Sequence, residues 1–257
     1  MKRIWIIPAV VVLLLAISAR VGGAEAKGLS GVPGTHAIVQ SATLATSAFA
    51  INSKGDIAGT YVTRTGSHGF LLHNGTYTKF DVPAAANFTE AKGINTAGDI
   101  VGDYVDGRGN THGFLRHDGT YTTLDDPRAT RGTLPFGIND AGDIVGAAHF
   151  SGDAHGFLLH NGTYTTLDAP GADKTYANGI NTPGEIVGGD TDARGHTHGY
   201  LLRDGTYTRF DVPGATGGTH PHNINTAGDI VGTYIDGRGH FHGFLLHDGT
   251  YTTLDVP

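Results

Sequence analysis

The chain contains no cysteine. That excludes disulfides, thiolate metal sites, a cysteine nucleophile and a lipid-modified N-terminal cysteine. Charge is scarce, at 16% of residues, and lysine and arginine nowhere cluster. Nucleic-acid binding is therefore not expected, because phosphate contacts need grouped cations. No long stretch carries the helical period, and no Gly-x-Ser-x-Gly, His-Glu-x-x-His or phosphate-loop pattern occurs. Tryptophan is represented once, at Trp5, and past residue 17 there is no long apolar run.

The first 26 residues differ from the rest. Lys2 and Arg3 precede an apolar run from Ile4 to Ile17, and small residues lead to Ala24-Glu25-Ala26. This reads as an export signal, residues 1–26, cut after Ala24 or Ala26. The run is 14 residues long, short of the roughly 20 that span a bilayer, so no membrane span is expected after cleavage. A secreted, extracellular or periplasmic protein follows. Its mature chain is more acidic than the formal −7, since the signal carries Lys2, Arg3 and Arg20.

What the chain has is repetition. The dipeptide Ile-Asn recurs at Ile51, Ile94, Ile138, Ile180 and Ile224, at spacings of 43, 44, 42 and 44 residues. The same blocks follow each time. The second copy reads Thr96-Ala97-Gly98-Asp99, Ile100-Val101-Gly102, His112-Gly113-Phe114-Leu115, Asp118-Gly119-Thr120-Tyr121 and Leu124-Asp125-Asp126-Pro127. Each copy divides into four short strands, a to d. Asn-Gly or Asp-Gly between c and d predicts a type I′ hairpin. Thr182-Pro183-Gly184-Glu185 between a and b suggests a type II turn with Gly at its second central position.

Successive side chains of a strand point to opposite faces. Ile100 and Val101, or Phe114 and Leu115, therefore leave each small sheet apolar on both sides. Each sheet must lie between neighbours, and a ring achieves this without exposed ends. The expected fold is all-β: a five-bladed β-propeller of four-stranded antiparallel blades, one repeat of about 43 residues per blade. It occupies residues 46–257, after a lead segment at 27–45. A monomer is expected.

The block from His242 to Pro257, with Asn225 to Gly232 before it, resembles the bacterial HAF repeat of probable extracellular proteins. The resemblance covers roughly residues 46–257. It departs at the signature's middle position, where all five copies have Gly in place of Ala. It implies export and a propeller-like fold, and it supplies no catalytic residue.

Both tight turns of each repeat should share one face of the ring, leaving the variable b–c and d–a segments on the other. Binding residues favour loops on a rigid scaffold. The ligand candidates are accordingly Phe49, Lys92, Phe136, Asn178 and His222, two residues before each Ile-Asn, together with Arg108, Arg194 and Arg238 of the b–c segments. Asp106, Asp192 and Asp236 are positioned to pair with those arginines. Fifteen histidines include three His-x-His pairs, His196/His198, His220/His222 and His240/His242, whose imidazoles are metal-ligand candidates. The repeat's own His is better read as packing within its sheet. Tyr77, Tyr121, Tyr164, Tyr207 and Tyr251 offer either a sugar platform or packing, with packing favoured. Glu90 is an acid without an evident partner.

Near-identical repeats suit multivalent binding, with a glycan or other cell-surface ligand as partner. A passive envelope component is the alternative, and a glycoside-active enzyme with an axial site comes third. No catalytic residue and no cofactor is implied.

Overall fold

The structure, a computed structural model, describes residues 43–150 and 153–256. The expected signal (1–26) and residues 27–42 of the lead lie outside the described residues. Every regular element described is a β-strand. Unit 1 holds β1 (Ala45–Ile51), β2 (Ile57–Val62), β3 (Ser67–His73) and β4 (Thr76–Phe80). Unit 2 holds β5 (Ala85–Ile94), β6 (Ile100–Asp106), β7 (Thr111–His117) and β8 (Thr120–Leu124). Unit 3 holds β9 (Thr133–Ile138), β10 (Ile144–Phe150), β11 (Asp153–His160) and β12 (Thr163–Leu167). Unit 4 holds β13 (Ala172–Ile180), β14 (Ile186–Asp192), β15 (Thr197–Arg203) and β16 (Thr206–Phe210). Unit 5 holds β17 (Gly218–Ile224), β18 (Ile230–Ile235), β19 (Phe241–His247) and β20 (Thr250–Leu254).

Each unit is an antiparallel four-stranded meander. A single parallel bridge, Ser67 to Phe88, joins units 1 and 2 into one eight-stranded sheet. The c–d hairpins are type I′: Asn74 and Gly75 have φ of 47° and 76°, and the other four copies match. The a–b turns differ from expectation. The Gly184 N–H donates to the Asn181 carbonyl at 3.0 Å and the Asn181 N–H to the Glu185 carbonyl at 3.1 Å. Gly184 thus closes the tight turn as its fourth residue, not its third. The loop between Asn181 and Glu185 has three residues, ending on a left-handed glycine at φ 88°.

Side-chain alternation builds the core as expected. Ile100 packs toward unit 1 with Ala58, Phe80 and Val82, while Val101 packs toward unit 3 with Ile138, Ile144 and Phe157. The junctions of units 3 with 4 and 4 with 5 repeat this arrangement. Strand a of each later unit lies against strands a, b and c of the unit before it. Strands β1, β5, β9, β13 and β17 therefore form the inner row, and the d strands the outer one. The Gly at the departing signature position has a steric reason. A Cβ on Gly113 would lie 2.7 Å from the Leu124 carbonyl oxygen and 2.7 Å from Pro135 Cγ of the next unit.

Two sets of hydrogen bonds stitch the units. Asn52, Asn95, Asn139 and Asn181 each donate a side-chain N–H to the backbone carbonyl of the corresponding Asn in the next unit, at 2.9–3.3 Å. Buried Thr89, Thr133, Thr175 and Thr219 each accept the backbone N–H of the previous unit's exit residue, Val82, Asp126, Ala169 or Val212. At the chain's two ends the matching apolar positions are open: Ile51 is 67% exposed, Val231 41% and Leu254 50%. Their internal counterparts, Ile94, Val101 and Leu124, are 7%, 0% and 8% exposed.

Candidate functional site

Phe49, Lys92, Phe136, Asn178 and His222 occupy one structural position. In every a–b pairing the register slips across that residue, so each is the extra residue of a β-bulge in the inner row. A bulge re-aims its side chain out of the regular alternation. Asn178 donates to the Pro221 carbonyl at 2.7 Å, and His222 Nε2 lies 3.1 Å from Thr233 Oγ1. The Lys92 ammonium pairs with Asp103, lies 3.6 Å from Glu90 Oε2 and stands 5.1 Å over the Phe136 ring. Burial works to depress the Lys92 pKa, but the two carboxylates override it and hold the ammonium above its usual range. Burial raises the Glu90 carboxyl, against the pull of Lys92. Glu90 thus has partners the sequence did not reveal, and a lysine separates it from the second carboxylate.

The arginines are elsewhere. Arg108, Arg194 and Arg238 are exposed in the b–c turns, beyond the far ends of β6, β14 and β18. Lys92 is level with Val101 and Gly102 of β6, so the two groups of ligand candidates stand roughly 20 Å apart along the strands. The structure does not bring them together. Nor do the expected Asp–Arg pairs form among the described residues. Asp106 Oδ1 instead accepts the backbone N–H of Arg108 and Asn110, both at 2.8 Å, and Asp192 and Asp236 do the same in their turns. These backbone donors hold the Asp106 carboxyl well below its usual range and that of Asp236 down at about 2.

The repeat's own histidines pack and hydrogen-bond within their units. Nδ1 of His68, His112, His155, His198 and His242 lies 2.7–2.9 Å from Asp81, Asp125, Asp168, Asp211 and Asp255. Four of the rings stack on Tyr61, Tyr104, Phe150 and Tyr234, at 4.8–5.2 Å. The repeated tyrosines pack too: Tyr77, Tyr121, Tyr164, Tyr207 and Tyr251 meet Phe70, Phe114, Phe157, Tyr200 and Phe244 at 5.3–6.2 Å. Of the three His-x-His pairs, only His240/His242 gains a third donor, Asp236, close enough to form a cluster among the described residues.

The tight-turn face, where the sequence showed only uniform turns, carries a second repeated polar array. Asn52 Oδ1 accepts the Asp56 N–H, and Asn52 Nδ2 donates to Asp56 Oδ2. The other Asp56 oxygen meets His73 Nδ1 at 2.6 Å. Units 2, 3 and 5 repeat the acid–histidine pair as Asp99–His117, Asp143–His160 and Asp229–His247, each at 2.5 Å. Unit 4 substitutes Glu185 and Arg203, also at 2.5 Å. The acids are held by the turn while the histidines are more than half exposed. Between units 1 and 2 this face opens into a groove of about 400 Å³ lined by Lys54, Asp56, Leu71, His73, Arg116 and Asp118. Arg116 is particular to unit 2; the other units have Leu72, Leu159, Leu202 and Leu246 there. In four of the five repeats, His73 and its counterparts stand in the sequence as a histidine directly before the hairpin turn.

No protein-family model matches the chain, and no curated protein matches it. Among solved structures, TolB from Acinetobacter baumannii superposes with a TM-score of 0.61 at 14% identity, over 82% of this chain and 53% of that one. This chain therefore spans about half of the TolB chain. The β-propeller domain of the Trilobed protease from Pyrococcus furiosus, described as having an open velcro topology, gives 0.56 at 10% identity, over 82% and 69%. A fucose-specific lectin from Aleuria aurantia gives 0.50 at 10% identity, over 81% and 76%. At such identities the likeness is one of fold, and that fold is the β-propeller.

Proposed function

We propose that this chain is an exported, monomeric five-bladed β-propeller of the HAF-repeat kind, acting as a multivalent carbohydrate-binding module without catalysis. The observation that carries this reading is the polar array on the tight-turn face. Four units present an exposed histidine braced by a turn carboxylate, and the fifth an arginine braced by a glutamate. Fixed donors and acceptors of this kind suit hydroxyl-rich ligands, and repeated weak sites on one rigid body add avidity. The fold shared with a fucose-specific lectin is in keeping with it. Lys92, wedged between Glu90 and Asp103, argues against an axial glycosidase, which needs two carboxyl groups facing an open cleft in different protonation states.

Closure into five blades would bring together three pairs of groups that match those joining neighbouring units. Asn225 stands where Asn181 donates to the next unit, and the carbonyl of Asn52 is the corresponding acceptor. Val256 holds the position of Val212, whose N–H is accepted by Thr219; Thr46 is the matching threonine of unit 1. Val231 and Ile51 are the matching apolar pair. A glycan array followed by calorimetry tests the function: several equivalent sites per chain support it, and one site or none contradicts it.

A further inference from the structure

The b–c turn of unit 5 sets three metal-type donors around one point. We propose that Asp236, His240 and His242 form a site for a divalent transition metal, with Zn²⁺ the best-suited ion, independent of the carbohydrate reading.

The turn is what gathers the donors. The Asp236 N–H donates to the His240 carbonyl and the Gly239 N–H to the Asp236 carbonyl, both at 3.0 Å, so the chain folds back on itself within five residues. Asp236 Oδ1 accepts the Arg238 and His240 N–H groups at 2.8 Å each. That fixes the carboxylate and leaves Oδ2 to face His240 Nδ1 at 3.6 Å and His242 Nε2 at 3.4 Å. These separations exceed good hydrogen bonds. They lie near the edge of a tetrahedron with metal–ligand bonds of about 2.0–2.1 Å, which is about 3.3 Å long.

The surroundings complete the design. His242 Nδ1 is bound by Asp255 Oδ2 at 2.8 Å, and the ring stacks on Tyr234 at 5.0 Å. A carboxylate on the remote nitrogen orients a ligating imidazole and strengthens it as a donor. Two imidazoles and one carboxylate favour zinc or its neighbours over calcium or magnesium. Three protein ligands leave a fourth position for water or an anion.

The other repeats serve as internal controls. Unit 2 has Asn110 in place of His240, bonded to Asp106 through its backbone and side-chain N–H groups. Unit 4 keeps all three residues, with Asp192 Oδ2 3.4 Å from His196 Nδ1 and 3.8 Å from His198 Nε2, but among the described residues only the unit 5 donors all lie close enough together to form a cluster.

The test uses the full chain, stripped with chelator, titrated with Co²⁺ and read by visible absorption, with Zn²⁺ as competitor. The proposal predicts the intense bands of a four-coordinate site, displaced by Zn²⁺. His240→Asn, which copies unit 2, should weaken binding by about 10-fold or more. Asp236→Asn, which retains the turn's acceptor, should do likewise, whereas His196→Asn should leave the tight site unchanged. Absence of the bands overturns the proposal, as does unaltered binding in His240→Asn, or an equal loss in His196→Asn.

Discussion

Asn95 donates its side-chain N–H to the backbone carbonyl of Asn139, 3.3 Å away and 44 residues further along the chain. The same amide group donates to Asp99 Oδ2 at 3.0 Å and accepts the Asp99 N–H at 2.9 Å. One buried side chain thus closes its own turn and ties it to the next unit. Asn95→Ala should destabilise the protein by about 2 kcal/mol or more, because the groups left behind remain buried and unpaired. Urea unfolding measures this, with the midpoint expected to fall.

The acid–histidine pairs predict a pH window. The Asp99 carboxylate raises the His117 pKa, and Asp229 does the same for His247, each through a hydrogen bond and attraction. A raised folded pKa stabilises below the unfolded value of about 6.5 and is lost as pH rises through the folded one. The Asp229 carboxyl is lowered by His247 and then Asn225, so its contribution is present above about 3.8 and lost on further acidification. The melting-temperature difference between the native protein and His117→Gln/His247→Gln should be greatest between about pH 4 and 6.5. It should shrink toward pH 9.

Unit 4 contains a swap that mutation can reverse. Arg209 makes two hydrogen bonds to the fully buried Asp190 carboxylate, one of them 3.0 Å long through Nε. In unit 2 the same two positions hold Tyr104 and Thr123, joined at 3.1 Å. Arg209→Thr alone strands a buried charge and should cost about 3 kcal/mol. Adding Asp190→Tyr to it should recover most of that loss, as read by chemical denaturation.

Much of the architecture was legible because it is local and repeated. Asn-Gly and Asp-Gly fixed the hairpins, and the alternation of Ile100 with Val101 showed that each sheet has two apolar sides to cover. The a–b turn was misplaced by one position because Asn181 anchors it from outside the Thr-Pro-Gly-Glu stretch. The bulges were invisible: a register slip leaves no composition signature, so Lys92 and Phe136 were recognised as variable but not as re-aimed. His240/His242 was legible as a pair. Its third donor lay four residues upstream, in an Asp-x-x-x-His-x-His spacing that only the turn turns into a cluster. The His73 array escaped notice because the uniform turns beside it were read as scaffold.

Ring closure carries the whole account, and the cysteine-free chain permits a direct measurement of it. Lys54, Ala97, Ala141 and Ala227 are exposed at equivalent tight turns of units 1, 2, 3 and 5, so cysteines placed there in pairs can carry spin labels. Pulsed electron resonance then compares the 54/227 distance with 54/97, an adjacent pair, and 54/141, a pair one unit further apart. A closed five-bladed ring predicts that 54/227 equals 54/97. A 54/227 distance equal to 54/141 or longer would show a gap between the last unit and the first, and contradict it.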